Sequence, residues 1–92
     1  MSTTAYQIMS DYGDYSHSEV LEQSLDLSAI RKAYDYIVDA TNLEQELGTD
    51  VFNTDTIILE QIQVELDDDG NIEDVLDWDD VIAETIYNPY PG

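Results

Sequence analysis

The sequence predicts an α+β domain: a small antiparallel sheet with one long helix and one or two short helices. Three observations predict it. Residues 27–47 repeat their apolar side chains at helical spacing. Residues 4–10 and 56–66 hold runs that alternate as strands do. Between apolar runs, Asp68-Asp69-Gly70-Asn71 is the composition of a hairpin turn. Ninety-two residues hold one core, so the chain reads as a single domain over 1–92. Its tail, 88–92, is irregular because Pro89 and Pro91 remove backbone donors.

Taken in order, Thr4–Ser10 sets Ala5, Gln7 and Met9 against Tyr6 and Ile8 and predicts the first strand. A loop follows over 11–18. Ser16 or Ser18 then caps a short helix over 18–26, with Glu19 and Glu22 early in it, where the dipole favours acids. Asp26 or Ser28 caps the long helix. Within it Leu27, Ile30, Tyr34, Ile37, Val38 and Thr41 trace one face, Asp35, Asp39 and Glu46 fall on the other side, and Gly48 is the stop. After a turn-rich connector, Thr56–Leu66 is a strand in which Ile58, Ile62, Val64 and Leu66 share a face interrupted by Glu60. Residues 72–78 satisfy two patterns at once. Ile72, Asp74, Leu76 and Trp78 alternate, while Ile72, Val75, Leu76, Ile82 and Ile86 fit a helix. The reading adopted is a hairpin strand followed by a short helix over 79–87, capped from Asp77 or Asp79.

Charge bounds the function. Two basic residues against 22 acids give a formal net charge of −20. Repulsion of this size opposes the compact state, and so little counter-charge is a mark of disordered chains. The 42% hydrophobic content, with nine isoleucines and seven tyrosines in periodic runs, predicts folding in spite of it. Arg31 and Lys32 read as local partners of Asp35 on the helix. There is no cysteine, no basic segment followed by an apolar run near the start, and no apolar stretch of membrane-spanning length. The sequence therefore predicts a soluble intracellular protein. Anionic membranes and nucleic acid repel such a chain, which leaves cations and basic proteins as attractive partners.

No motif predicts an enzyme, a cofactor or a metal site. With Gly70 as the sixth residue of a calcium loop, Glu65, Asp67 and Asp69 fit, but Leu76 stands where a bidentate glutamate is needed. Starting at Asp67 places Ile72 at the glycine position and Trp78 at the glutamate position. Ser24-Leu25 lacks the preceding aspartate of a phosphopantetheine attachment motif, having Gln23 there. His17 is the single histidine and has no nucleophile beside it in the sequence.

Placed on these elements, Asp35 and Asp39 on the helix and Asp67, Asp68, Asp69, Asp74, Asp77, Asp79 and Asp80 around the hairpin form an array of negative points. Neighbours on one face are about 6 Å apart on a helix and ~6.6 Å on a strand, close to the spacing of phosphates along a nucleic-acid strand. Tyr12, Tyr15, Tyr87 and Tyr90 are candidate interface anchors, with the equal alternative that the tail holding Tyr87 and Tyr90 folds back on the sheet.

In size, absence of cysteine, scarcity of lysine and excess of aspartate with scattered tyrosine, the chain resembles phage DNA-mimic proteins, the anti-restriction and anti-CRISPR inhibitors. The resemblance is one of composition along the whole chain and transfers no residue role. It implies an inhibitor acting in the host cytoplasm. Its partner would be a basic nucleic-acid-binding protein of the host, a CRISPR effector or a restriction enzyme, and a homodimer would lengthen the charged face. The alternatives are a salt-adapted acidic housekeeping domain and an acidic partner of another basic protein.

Overall fold

The computed structural model describes residues 2–12, 17–49 and 54–87. Four strands, β1 (Thr3–Tyr12), β2 (His17–Ser24), β3 (Thr54–Leu66) and β4 (Ile72–Ile86), form one antiparallel sheet in the order β2-β1-β3-β4. The single helix, α1 (Leu27–Leu47), connects β2 to β3. Because β2 and β3 are both antiparallel to β1, they run parallel to each other on its two sides, and α1 is the crossover between them.

The helix begins and ends where its local chemistry directs. Asp26 Oδ1 accepts from the backbone N–H groups of Ser28 (2.9 Å) and Ala29 (3.4 Å), and Gly48 closes the helix with φ 74°. Asp26→Ala should therefore cost about 1 kcal/mol in a urea melt; an unchanged midpoint would mean that the cap contributes nothing. The rest of the helix charge does not serve the helix. Glu44 and Glu46 stand at the negative end of the dipole and Arg31 and Lys32 stand exposed nearer its positive end, the reverse of the stabilising arrangement.

Ile30 and Tyr34 of α1 pack on Ile8, Ile57 and Leu59 of the sheet, with Leu27, Ile37 and Val38 around them. The Tyr34 hydroxyl reaches Thr85 Oγ1 at 2.7 Å, and the Tyr87 hydroxyl donates to the carbonyl of Val38 at 3.2 Å. Tyr87 thus ties the end of β4 to the helix instead of standing free as an anchor. Tyr15, Tyr90 and the tail 88–92 lie outside the described residues, as does the side chain of Tyr12.

Among the described residues no helix lies on the opposite face of the sheet, yet Ala5, Ile62 and Val64 are fully buried there, with Leu66, Ile72 and Val75 packed around them. Strand order puts β2 and β4 at opposite edges, but Gln23, Ser24, Leu25 and Asp26 line one cleft of about 370 Å³ together with Gly70, Asn71 and Ile72. The sheet is therefore coiled at this end, and the curl shelters the second cluster from water. Beside it a buried polar ladder crosses three strands. Gln23 Nε2 donates to Gln7 Oε1 (3.0 Å), and Gln7 Nε2 donates to Glu60 Oε2 (2.7 Å), with Gln7 only 1% exposed. Its hydrogen bonds are made, as burial of an amide requires.

Two expectations are corrected. Residues 18–26 are not a short helix. They pair with β1 as β2 from Tyr6↔Ser24 to Tyr12↔His17, with one bulge, because the partner strand supplies hydrogen bonds that an isolated turn of helix lacks. Nor do residues 79–87 form a helix capped from Asp77 or Asp79, for β4 continues unbroken to Ile86. Helical spacing of apolar residues was present in that segment, but a bulged strand produces it equally well. The described residues hold one long helix and no short one.

Candidate functional site

The register of β4 on β3 is unusual and controls where the acids point. Ile72 lies opposite Leu66, Val75 opposite Val64, Trp78 opposite Ile62 and Val81 opposite Glu60. Each step of two residues along β3 is met by a step of three along β4. Ten residues of β4 (72–81) thus run beside seven of β3 (60–66). Residues opposite one another share a face, so Ile72, Val75, Trp78 and Val81 all reach the face away from the helix. Glu73, Leu76, Asp79 and Asp80 have no opposite residue, and each accompanies a bulge.

Five of the six positions between these apolar residues are acids: Glu73, Asp74, Asp77, Asp79 and Asp80, with Leu76 the exception. Asp74 lies opposite Glu65 and Asp77 opposite Gln63, on the helix side of the sheet beyond the start of α1. Without a bulge, residues 74 and 77 would face opposite ways. All five acids are exposed. Six steps along β3 measure about 20 Å, so β4 carries one carboxylate per ~4 Å of its length, against 3.4 Å of helix axis per phosphate for each strand of duplex DNA.

Local contacts divide these acids by role. Asp79 Oδ2 accepts from Gln63 Nε2 (2.7 Å) and Gln61 Nε2 (3.0 Å), and Gln63 also donates to Thr4 Oγ1 (3.1 Å). The bonds from Gln63 and then Gln61 hold the Asp79 carboxyl below the usual 3.8. The folded carboxyl therefore binds its proton less readily than the unfolded one. Its contribution to stability is present above the ordinary aspartate value and is lost as pH falls through the lower folded value. Replacing Gln61 and Gln63 with alanine should return Asp79 toward 3.8 in a carbon-detected NMR titration; a titration point that does not move would show that the two amides are not the cause.

Asp67 is a turn residue. Its Oδ1 accepts from the N–H groups of Asp69 and Asn71, both at 2.9 Å, and Gly70 takes φ 84° to complete the turn. Asp77 Oδ1 accepts from the Trp78 N–H at 2.9 Å. Asp68, Asp69, Asp74 and Asp80 are exposed and carry no such backbone role among the described contacts. Asp35 and Asp39 are exposed on the outer side of α1, a different element from the β3–β4 hairpin that holds the other seven.

Glu73 was missed by sequence reasoning, though a period of three apolar positions over 72–81 was its signal. Among the described residues no group of three or more acids or histidine is arranged to hold a metal ion, and no helix is long and apolar enough to cross a membrane. Ser24 ends β2, with its Oγ accepting from the Asp26 N–H at 3.0 Å. Comparison of the chain with protein-family models, with curated proteins and with solved structures found no match.

Proposed function

We propose that this protein is an acidic mimic of nucleic acid, an inhibitor that occupies the DNA- or RNA-binding surface of a host defence protein of the CRISPR or restriction kind, in the host cytoplasm. The observation that carries the reading is the three-residue repeat of β4, which gathers five exposed carboxylates along about 20 Å at nearly the linear density of a nucleic-acid strand. The helix supports it, since its acids stand where they do its own dipole no service. So does the opposition of Asp74 to Glu65, a like-charge pair that costs stability where it stands. Groups retained against local stability point outward, to a partner that neutralises them. Lysines and arginines shaped to hold phosphates would meet this surface with release of counterions, as they do on DNA.

The acids and bulges of β4 also protect an edge strand from pairing with other chains. Bulges already blunt an edge, however, and leave the row of carboxylates on β4 unexplained.

The test is a pull-down from a bacterial lysate with the tagged protein, eluted by a salt gradient. A nuclease or CRISPR effector leaving at moderate salt, and released early by added DNA or RNA, is the expected result. Retention of no nucleic-acid-binding protein overturns the reading. The salt-adapted housekeeping alternative predicts an unfolded chain in dilute buffer. A mimic should keep its far-UV circular dichroism there and gain stability as salt screens its repulsion.

A further inference from the structure

β4 separates two chemistries. Acids fill the positions between its apolar residues, and the apolar residues return to the open face of the sheet. Near the hairpin turn that apolar row is sheltered by the curl, but further along Trp78 is 58% and Val81 57% exposed. None of the described elements covers them. A large aromatic side chain left in water forgoes the burial that tryptophan ordinarily finds. A second copy of the chain is a poor cover for it, because each copy brings a charge of −20.

We infer that Trp78 and Val81 are the apolar half of the partner contact, and that the partner is a basic protein whose groove is built for single-stranded nucleic acid. The inference rests on the mimic reading above and narrows it. Such grooves set lysines and arginines along the backbone of the strand and offer aromatic side chains on which its bases stack. A single strand presents charge along one side and flat apolar faces along the other, and β4 does the same. A duplex presents its phosphates outward and keeps the faces of its bases stacked inside, so an exposed indole has no counterpart on it. In the groove, the Trp78 ring takes the place of a stacked base, and an arginine guanidinium is a second partner for its face.

Trp78 is the single tryptophan of the chain, so its emission reports this contact directly. The probes are two synthetic peptides of equal length and charge, one alternating lysine with glycine and the other lysine with phenylalanine. The phenylalanine peptide should bind about tenfold more tightly at physiological salt and shift Trp78 emission to the blue. Trp78→Ala should abolish that difference while keeping the salt-dependent binding common to both peptides. Trp78→Phe should retain most of it. Equal affinities of the native protein for the two peptides, or a difference that survives Trp78→Ala, overturns the inference. Circular dichroism confirms that each variant is folded. Proteins retained in the lysate experiment should be released by a single-stranded oligonucleotide at lower concentration than by a duplex of the same length, and the reverse order also overturns it. Asparagine at Asp69, Asp74, Asp77 and Asp80 separates the two ideas. If that set leaves peptide binding intact, the mimic reading itself fails; if the acids matter and Trp78 does not, only the present inference fails.

Discussion

Replacement of Asp69, Asp74, Asp77 and Asp80 together by asparagine should weaken binding to a basic partner about 100-fold at physiological salt, taking each lost charge pair at 0.5–1 kcal/mol. The salt slope of binding should fall by about 3, because each phosphate-like charge accounts for roughly 0.7–0.9 of that slope. The same substitutions should leave the fold as stable as before, or more so, since they remove four like charges from a chain at −20. Asparagine keeps an acceptor oxygen for the Trp78 N–H at position 77. Asp67 and Asp79 are left in place because the turn and the Gln61–Gln63 pair depend on them. Binding and stability moving in opposite directions is the signature of surface charge kept for a partner. Unaltered binding would overturn the mimic reading that rests on β4; a fall in stability would show that these acids serve the fold.

The second large effect is on stability. Ile8 is fully buried in the central strand, opposite Leu59 and within the cluster that takes Ile30 and Tyr34 from the helix. Ile8→Ala should cost about 2–5 kcal/mol, from lost transfer energy and the cavity left behind. A domain of this size holds only about 5–15 kcal/mol in total, so much of the variant should unfold in dilute buffer and regain structure as salt screens the repulsion. Far-UV circular dichroism across a urea and salt series measures it. Leu43→Ala, at a side chain 55% exposed, serves as the control and should change stability by less than about 0.5 kcal/mol. Equal loss in both variants would contradict the assignment of the core.

Several features were legible along the chain because their causes are local. The cap at Asp26, the stop at Gly48 and the buried stripe of Ile30, Tyr34 and Thr41 follow from residues within a few positions of one another. So do the alternation of Ile58, Ile62 and Val64 and the turn closed by Asp67 and Gly70. Residues 18–26 were misread because Glu19 and Glu22 suit an early helical turn as well as the exposed side chains of an edge strand. Pairing with β1, a long-range event, decided between them.

The amino-acid sequence by itself determined the charge, the single long helix, three of the four strands (the last only as far as residue 78), the hairpin turn and the acidic character of residues 65–80. Only the tertiary structure decided what the three-residue spacing of Ile72, Val75, Trp78 and Val81 meant. That spacing suits a helix and a repeatedly bulged strand equally, and the choice lies with the partner. Leu66, Val64, Ile62 and Glu60 of β3 offer a row to pair with, and matching it two residues to three brings every apolar residue of 72–81 except Leu76 to one face. The same match aims Asp74 and Asp77 away from that face and compresses the acids of β4 along the edge of the sheet. Local chemistry supplied the acids, and strand pairing set their spacing and direction.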